Sequence, residues 1–471
     1  MIKFGTSGFR AIMGDQFTKE NVKKIAYGIC KYAEENGIEN GKIVVGFDNR
    51  FMSEMYAKWL IEVLSCKFHI KFFIDSVPSP LISFESKTAD FGVMITSSHN
   101  PYFYNGIKIF ERGGFECTDN ITSQIANHAN NINENEIETI DYIEALEKGV
   151  VEKTTDIDPY INSILSQVNE DLISNSKIKV LINCMHGSSY QSLNKIINRL
   201  NLKKAEFINF DIDPYFEYST PAPYVHRLEK QAEKVVNEHY DIGFALDGDG
   251  DRFSLIDSNG KVYDCTAVAP VIYAFALENK NISGGFVKNY AFSNLAKKIA
   301  NAHNEQCYEA KVGFKCIGEI LKEGNSYMGA ESNGISLATH VSSKDGVLAC
   351  ALIIEAIIIS KCSFGELLED IQTRYNFKSS CIEREYPISS EKKAEIINAI
   401  SNKNPLPSFE NLNIVDIFNQ EGLKLIFEND TWCMIRLSGT EPAVRTFAEM
   451  PTLEQAEEVL DILESFYNLK L

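Results

Sequence analysis

The sequence predicts an α/β protein with several domains, and three observations lead to this prediction. Apolar stretches with a 3.6-residue period alternate along the chain with short runs rich in Val, Ile and Phe. Such alternation is typical of parallel sheets whose strands are joined by helical crossovers. The chain has 471 residues, which corresponds to several domains at about 100–200 residues each. Its apolar content of 44% is enough for several hydrophobic cores.

The alternation of helices and strands begins near the amino terminus. Thr18 is predicted to cap a helix whose apolar stripe starts at Val22 and stops at Gly37. Strands are then predicted at 43–47, 69–75 and 178–182, and helices at 53–64 and 191–200. The apolar stretch 347–359 is too short to span a bilayer and contains Glu355, so we expect a buried helix there.

Charge and cysteine content argue against several classes of protein. The chain carries 65 acidic and 46 basic residues, a formal net charge of −19, which disfavours nucleic acid and anionic membranes as partners. Its 11 cysteines show no Cys-x-x-Cys spacing, which favours a reducing, cytoplasmic setting over a disulfide framework. Polar and charged residues follow Met1 at once, so no secretory signal is expected.

A polar loop follows the apolar run 91–95, which we interpret as a buried strand. The loop reads Thr-Ser-Ser-His-Asn-Pro over 96–101, and the residue before a proline is disfavoured in a helix. Open α/β sheets bind their ligands at this end of their strands. The hydroxyl of Ser98, beside the imidazole of His99, could attack or carry a transferable group. The alternative is an ordinary serine-capped turn.

A second apolar run, 241–246, also reads as a buried strand, and it leads directly into an acidic loop. Asp247, Asp249 and Asp251 alternate there with glycines and are followed by Arg252. Three neighbouring carboxylates repel one another unless a cation lies among them. Oxygen ligands suit Mg²⁺ or Ca²⁺, and the loop lacks the closing glutamate of a twelve-residue calcium loop. We therefore expect Mg²⁺, the alternative being a turn without metal.

A third polar stretch lies near the carboxyl terminus. Arg436 and Arg445 flank a loop of small residues that contains Ser438, Gly439 and Thr440. Guanidinium groups bind phosphate oxygens in pairs, and such a loop exposes backbone N–H groups. Ser-Gly-Thr turns are common, but two arginines around one loop in an acidic chain indicate a phosphate site.

These three stretches together resemble the α-D-phosphohexomutase superfamily. Further matches to the family lie at 4–10 (FGTSGFR), 46–50 (GFDNR), 105–108 (NGIK) and 312–315 (VGFK). The matches follow the family order along essentially the whole chain. The resemblance implies three related mixed α/β domains and a smaller carboxyl-terminal α+β domain around a central cleft. The expected domains are 1–152 with the phosphoserine loop, 153–263 with the metal loop, 264–377 with the sugar loop and 378–471 with the phosphate loop.

The resemblance also implies a reaction and the residues that perform it. Ser98 is expected to be a phosphoserine that exchanges a phosphoryl group with a hexose phosphate, through a hexose 1,6-bisphosphate intermediate. One Mg²⁺ is expected on Ser98, Asp247, Asp249 and Asp251, since it would offset the charge of a phosphoserine, about −1.5 to −2. The residues expected to take part in catalysis are Ser98, His99, Lys108, Arg10 and Arg252. Those expected to bind substrate are Thr6, Ser7, Lys315, Glu331, Ser332, Arg436, Ser438, Gly439, Thr440 and Arg445.

Two loops depart from the pattern of the superfamily. Its sugar loop usually reads Gly-Glu-x-Ser-Gly, whereas Ala330 stands here in place of the first glutamate. Either Glu331 substitutes with a one-residue shift, or the preference among sugars differs. Ser97 stands where alanine is usual and could compete with Ser98 as the phosphorylated residue. His99 either orients its loop and moves protons or is a neutral structural histidine.

The identity of the hexose is the least constrained expectation. The Gly-Thr-Ser-Gly opening at 5–8 and Gly334 favour glucose phosphate first and mannose phosphate second. The alternatives are a phosphoglucosamine or phosphoacetylglucosamine mutase, and a sugar-bisphosphate synthase or phosphatase with the same phosphoserine. A catalytically silent sugar-phosphate sensor is a further alternative. We expect a cytoplasmic monomer or homodimer whose partner is a phosphosugar rather than a nucleic acid or membrane.

Overall fold

The computed structural model describes residues 1–402, 406–437 and 443–469. Four sheets, within residues 9–154, 180–263, 285–337 and 380–450, define domains 1 to 4. This is the four-domain α/β architecture expected from the sequence. The expected boundary at 152 falls inside a strand, Val151–Thr154, that belongs to the first sheet.

Domain 1 is a seven-stranded mixed sheet with helices packed against it. Its strands are β1 (Phe9–Ile12), β2 (Gly41–Phe47), β3 (Phe68–Phe73), β4 (Phe91–Ile95), β5 (Tyr104–Glu111), β6 (Phe115–Glu116) and β7 (Val151–Thr154). The main order is β1-β5-β4-β2-β3-β7, with β6 paired to β5. Its helices are α1 (Lys19–Glu35), α2 (Ser53–Leu64), α3 (Ser79–Glu85), α4 (Asp119–Asn130) and α5 (Tyr142–Glu147).

Domains 2 and 3 repeat this layered arrangement on smaller sheets. Domain 2 has β8 (Val180–Asn183), β9 (Ala205–Ile208), β10 (Ile242–Leu246), β11 (Phe253–Asp257) and β12 (Val262–Tyr263), in the order β12-β11-β10-β8-β9, with α6 (Asp158–Leu165), α7 (Glu170–Ser174), α8 (Tyr190–Arg199) and α9 (Glu229–Asn237). Domain 3 has β13 (Gly285–Asn289), β14 (Cys307–Ala310), β15 (Ser326–Glu331) and β16 (Gly334–Leu337), in the order β14-β13-β15-β16, with α10 (Cys265–Asn279), α11 (Leu295–Ala302), α12 (Phe314–Leu321), α13 (Gly346–Ser360) and α14 (Phe364–Arg374).

Domain 4 differs from the other three because its sheet is antiparallel throughout. Its strands are β17 (Ser380–Pro387), β18 (Ile414–Phe418), β19 (Leu423–Phe427), β20 (Trp432–Leu437) and β21 (Ala443–Met450), in the order β17-β21-β20-β19-β18. Its helices are α15 (Ser390–Asn402) and α16 (Leu453–Phe466). Short 3₁₀ turns elsewhere lie at Glu134–Glu136, Phe216–Tyr218 and Val225–Arg227.

The local elements follow the sequence patterns closely. Thr18 caps α1 through its side chain, and the predicted helix 53–64 and strand 91–95 have the bounds of α2 and β4. The expectation of parallel sheets was incomplete, because domains 1 to 3 each add antiparallel strands to a parallel centre. The connections in question are too short for a crossover helix, so the chain turns back as a hairpin.

These hairpins place one loop of each domain at an equivalent position. The parallel strand β4 leads through residues 96–103 into antiparallel β5, and β10 leads through 247–252 into β11. In domain 3, β15 returns into β16 through residues 332–333. The three loops are the serine, acidic and sugar loops of the sequence, so the shared topology carries them to the carboxyl ends of equivalent strands.

The largest apolar core joins domains 1, 2 and 3. It includes Leu81, Val180 and Phe286, one from each domain, and nearly all of α13. Among the described residues no single helix has the length and apolar character to span a membrane; only α13 and α14 taken together, across a 77° bend, meet that test. The stretch 347–359 therefore forms the buried helix that the sequence predicts.

Domain 4 docks on domain 3 through a buried carboxylate. Glu449 accepts hydrogen bonds from Ser293 Oγ at 2.6 Å and from the backbone N–H of Asn294 at 2.8 Å, just before α11. It also accepts one from Trp432 Nε1 at 2.7 Å. Because the carboxylate is fully buried, these donors replace the water that it loses.

The same interface buries a lysine. Lys424 Nζ donates to the carbonyl oxygen of Tyr290 at 2.7 Å and lies 4.0 Å from the centre of the Trp432 ring. Burial, and secondarily the nearby Lys288, lower the pKa of Lys424 to about 7. The unfolded chain keeps this amine protonated up to a pKa of about 10.4.

We expect Lys424→Met to remove a specific pH dependence of stability. Between pH 7 and about 10 the unfolded state binds one more proton at Lys424 than the folded state, so the resulting penalty on folding shrinks as pH rises. The free energy of unfolding of the wild type, relative to the variant, should rise on the order of 1 kcal/mol per pH unit between pH 7.5 and 9. Urea unfolding followed by Trp432 fluorescence in a Trp59→Phe background measures it.

Lys378→Met, at an exposed position, is the matched control. Its free energy of unfolding should depend on pH as that of the wild type does. The prediction would be contradicted if the free energy of unfolding changed with pH by the same amount in the wild type and in Lys424→Met.

Candidate active site

The serine loop places Ser98 against the acidic loop of domain 2. Ser98 is fully buried, with φ of 51°, and its Oγ donates to Asp247 Oδ2 at 2.6 Å. A Cβ at Gly248 would lie 2.6 Å from the carbonyl oxygen of Ser98, so only glycine lets the two loops approach this closely. The neighbouring Ser97 is also fully buried, but its Oγ has no hydrogen-bond partner in the described part of the chain.

Arg50 fixes the backbone of the serine loop. Its guanidinium is buried, forms an ion pair with Asp48 at 3.3 Å and donates to the carbonyl oxygens of Ser98 and Asn100, each at 2.6 Å. It also donates to the carbonyl oxygen of Pro101 at 2.8 Å. The sequence placed Arg50 in a family stretch without a role, because its ligands are backbone atoms that no motif reveals.

The three aspartates of the acidic loop converge as the sequence predicts. One oxygen from each of Asp247, Asp249 and Asp251 lies within 4.8 Å of the others, and all three side chains are buried. Lys108 Nζ donates to Asp249 Oδ2 and to Asp251 Oδ2, each at 2.6 Å. Ser79 Oγ also donates to Asp249 Oδ2, at 2.5 Å.

The protonation of these carboxyl groups is divided unequally. Burial, followed by repulsion from Asp249 and Asp251, raises the pKa of Asp247 to about 8. Burial also opposes ionisation of Asp251, but Lys108 and Lys344 outweigh it and lower the pKa of that carboxyl. The ionised carboxylate is therefore disfavoured at Asp247 and stabilised at Asp251.

A further observation supports a divalent cation in this carboxylate cluster. The second oxygens of Asp249 and Asp251, both Oδ1, are buried without a hydrogen-bond partner among the described residues. Orphaned carboxylate oxygens are costly in a dry site, and a hard cation satisfies them. Asp247, Asp249, Asp251 and Ser98 Oγ supply an all-oxygen donor set that suits Mg²⁺.

Basic side chains surround this acidic centre. Arg10 donates through Nη1 to Asn100 Oδ1 at 3.1 Å, while its Nε and Nη2 are buried without a partner in the described residues. Arg252 Nε lies 3.8 Å from Asp251 Oδ1. Both guanidinium groups thus keep N–H donors without a hydrogen-bond partner among the described residues.

His99 lies beside the serine, but its charge state limits its role. Its Nδ1 is 3.4 Å from Ser98 Oγ. Burial, together with the positive charges of Arg252 and Arg10, lowers the pKa of His99 well below its usual range. The imidazole is therefore neutral near pH 7, which favours orientation of the loop over donation of a proton from an imidazolium.

The sugar loop directs Glu331 towards the acidic centre. Lys344 Nζ donates to Glu331 Oε1 at 3.0 Å and to Asn333 Oδ1 at 3.2 Å, and lies 4.0 Å from Asp251 Oδ2. Lys344 thus holds the Glu331 carboxylate beside the acidic loop. Ser332, expected beside it, instead donates across the cleft to Glu383 Oε2 of domain 4 at 3.4 Å.

Lys344 was not identified in the sequence. It precedes Asp345, which caps α13, and no local pattern distinguishes it from a surface lysine. The packing of α13 against domain 2 brings the Lys344 side chain to the site. It is only 1% exposed there.

The amino-terminal loop meets domain 3 at the other side of the cleft. Lys315 Nζ lies 3.4 Å from the carbonyl oxygen of Gly5 and 3.1 Å from Asp119 Oδ1. A Cβ at Gly313 would lie 2.7 Å from Thr6 Cγ2, so the loop with Thr6 and Ser7 packs directly on domain 3. Gly5 and Thr6 of this loop therefore lie beside Lys315 and Gly313.

The arginines of domain 4 are paired with carboxylates. Arg436 and Arg445 face each other in register on β20 and β21. Arg445 Nε donates to Glu385 Oε2 at 2.7 Å, and Arg436 Nε lies 4.0 Å from Glu421 Oε2. Between the two strands, Ser438, Gly439 and Thr440 lie outside the described residues.

Comparison with known proteins identifies the family. Models of the phosphoglucomutase/phosphomannomutase domains match in sequence order: the α/β/α domains I, II and III over residues 1–136, 158–260 and 266–375, and the C-terminal domain over 389–465.

Full-length relatives carry more than one substrate name. A phosphoglucomutase/phosphomannomutase of Thermococcus kodakarensis is 30% identical over 464 residues, which cover 98% of this chain and 97% of the relative. A phosphoglucosamine/phosphogalactosamine mutase of Sulfurisphaera tokodaii is 28% identical over 474 residues, 98% of each chain. The crystal structure of a phosphoglucomutase/phosphomannomutase family protein from Burkholderia thailandensis has the same fold, with a TM-score of 0.81 at 18% identity, covering 99% of this chain and 97% of that one. This chain therefore belongs to the phosphoglucomutase/phosphomannomutase family, within the α-D-phosphohexomutase superfamily, and is an isomerase of the phosphohexomutase type.

Proposed function

We propose that the protein interconverts hexose 1-phosphate and hexose 6-phosphate through a phosphorylated Ser98, with glucose preferred and mannose second. The observation that carries this proposal is the 2.6 Å contact of Ser98 Oγ with Asp247 inside a buried carboxylate cluster that has orphaned oxygens. A serine without a transferred group needs no such surroundings, whereas a phosphoserine with its counter-ion does.

Each group in the site has a role in this proposal. Ser98 Oγ accepts and returns the phosphoryl group, and Arg10 and Arg252 bind its peripheral oxygens. Lys108 supplies a fixed positive charge, because Asp249 and Asp251 outweigh the effect of burial and raise the pKa of its ammonium. Bound Mg²⁺, held by Ser98 and the three aspartates, would neutralise charge on the phosphoryl oxygens.

The substrate's second phosphate would lie between domains 3 and 4. Arg436 and Arg445, with the 438–440 loop, are the proposed clamp, and phosphate oxygens would take the place of Glu385 on Arg445. Glu331, Ser332, Lys315, Thr6 and Ser7 are the proposed contacts to the sugar. A bisphosphate that turns over between Ser98 and this clamp presents its two phosphates to the serine alternately.

The state of the sugar loop supports a neutral hexose over an amino sugar. Glu331 is already neutralised by Lys344 at 3.0 Å, so this carboxylate does not offer a free charge to an ammonium group. A phosphoglucosamine mutase is the second candidate, favoured by the name of the Sulfurisphaera relative.

A substrate panel tests the reaction and the sugar together. The 1-phosphates of glucose, mannose, glucosamine and N-acetylglucosamine are supplied with Mg²⁺ and a trace of glucose 1,6-bisphosphate, and the 6-phosphates are measured. We expect the highest kcat/KM for glucose 1-phosphate, then mannose 1-phosphate. A preference for an amino sugar would overturn the assignment, and net release of bisphosphate or inorganic phosphate would indicate a synthase or phosphatase.

Phosphorylation should map to Ser98. After incubation with glucose 1,6-bisphosphate, mass spectrometry should find one phosphoryl group on the peptide that contains Ser97 and Ser98. Ser98→Ala should lose this group and at least about 10³-fold in kcat, as expected when a nucleophile is removed.

Ser97→Ala is the matched control, since it deletes an equally buried hydroxyl one residue away, and it should keep the phosphoryl group. Phosphorylation that follows Ser97 instead would reassign the nucleophile.

Arg50 is expected to position the serine loop rather than to touch the substrate. Arg50→Lys keeps a positive charge beside Asp48 but lacks the planar fork that donates to four carbonyl oxygens, those of Ser98, Asn100, Pro101 and Tyr104, so the loop should shift. We expect kcat to fall about 10²-fold, as for misplacement of a reacting group by about 1 Å, with KM little changed.

The yield of phospho-Ser98 and the thermal unfolding midpoint are measured alongside. Arg112→Lys, whose guanidinium binds Asp90 at an exposed site, is the control. A rise in KM at unchanged kcat would instead assign Arg50 to substrate binding.

A further inference from the structure

Domain 2 contains a cavity whose lining includes none of the residues assigned above to the mutase reaction. Its volume is about 370 Å³, and it opens at the carboxyl ends of β8 and β9, beneath α9 and the loop 209–221. In the sheet, β8 lies between β9 and β10, so the chain leaves β8 towards one side and later returns on the other. Open α/β sheets bind ligands outside the carboxyl ends of their strands.

Three basic side chains line one side of this cavity. Arg227, just before α9, and Lys230 and Lys234, both within it, line the cavity, whereas Glu217 is the one acidic side chain among its lining residues. The amino end of α9 adds the positive end of its helix dipole. Lys234 is paired with Glu206 at 3.1 Å, but Lys230 has no ion-pair partner among the described residues.

Two polar atoms are buried there without a hydrogen-bond partner in the described chain. They are Nε2 of His186, a residue that is 7% exposed, and Nε of Arg227. His186 Nδ1 lies 3.0 Å from the carbonyl oxygen of Asp211, and because a carbonyl only accepts, Nδ1 carries the proton. Nε2 is then free to accept from a ligand hydroxyl, while Arg227 Nε is free to donate. Two carboxylates also face this imidazole: Asp211 Oδ1 is 3.7 Å from Nδ1, and Glu217 Oε1 is 3.9 Å from Nε2.

The opposite wall is apolar. Phe216, Pro221, Met185 and Ile208 face the cavity from the surrounding loops and strand ends. A ligand that fits both walls has an anionic group for the basic side and a small carbon skeleton for the apolar side. A phosphate monoester with a hydroxyl group meets each requirement, including a donor for His186.

We propose that this cavity is a second binding site, for a small phosphate monoester, and that it is distinct from the catalytic cleft. Its walls are continuous with both catalytic loops. The carbonyl oxygen of His186 accepts from Asn49 Nδ2 at 2.8 Å, and that of Pro221 accepts from the N–H of Gly248 at 3.2 Å. The ring of Phe216 lies 5.0 Å from the guanidinium carbon of Arg50, which holds the serine loop. An occupant of the cavity would therefore contact residues that pack against Arg50 and the acidic loop.

Histidine NMR separates the two sites in one experiment. The chain has 8 histidines, of which His186 reports on the cavity and His99 on the catalytic cleft, each assigned by the loss of its signal in a His→Asn variant. The full-length ¹⁵N-histidine-labelled protein is titrated with inorganic phosphate at constant pH, with sodium chloride at matched ionic strength as the reference. The Nε2 signal of His186 should move on phosphate addition with a midpoint different from that of His99.

Charge removal then identifies the site. Arg227→Gln/Lys230→Gln should weaken the phosphate response of His186 at least about tenfold, as expected for loss of charge-assisted hydrogen bonds, and leave that of His99 unchanged. Lys230→Gln alone, at an exposed position, should weaken it in the same direction and preserves the fold. Lys203→Gln makes the same charge change on the surface of the same domain and should leave both responses unchanged.

The proposal is overturned if the signal of His186 stays fixed while that of His99 moves, or if the double variant titrates as the wild type does. It stands independently of the mutase reaction, since absence of mutase activity in the substrate panel would leave the His186 response as it is.

Discussion

The concentration of negative charge around Ser98 is the constraint on which the rest of the site depends. Three carboxylates lie within 4.8 Å of one another in a buried place, and the serine hydroxyl donates to one of them. Without compensation such a cluster would cost several kcal/mol per ion. Lys108, Lys344, Arg10 and Arg252 surround it, yet two carboxylate oxygens still have no partner among the described residues. The fold therefore maintains a buried oxygen cluster that could bind a metal ion.

The repeated topology of domains 1 to 3 explains how these groups meet. In each of these domains a central parallel strand is followed by an antiparallel neighbour. The connection between the two strands is the serine, acidic or sugar loop. Contacts between the turns hold them in place: Gly248 packs on the backbone of Ser98, and Lys344 bridges the sugar loop to Asp251. Domain 4, attached through Glu449, adds two arginines from a separate sheet. The cleft is thus formed by four domains, and its geometry depends on how these domains pack against one another.

Much of the local structure, and several of the candidate site residues, could be predicted from the sequence. Strand 91–95, helix 53–64, the cap at Thr18 and the buried helix near 347–359 depend on short-range patterns, which is why they were predicted closely. The convergence of the three aspartates was predictable because neighbouring residues on one glycine-rich loop cannot move far apart. The comparison of the sugar loop with the family pattern was less secure, since a shift of one residue exchanges which side chains face the cleft.

The sequence alone determined the chemistry available: a serine, a hard-cation donor set and arginines for phosphate, arranged in family order. The tertiary structure decided which side chains serve it. Arg50 acts on backbone carbonyls, Lys344 reaches the site only because α13 packs between domains, and Glu331 rather than Ser332 faces Lys344. The same is true of the cavity around His186, whose lining residues extend along the chain from Asn183 to Lys234. Partners that are distant along the chain are brought together by packing, and no local pattern in the sequence encodes that proximity.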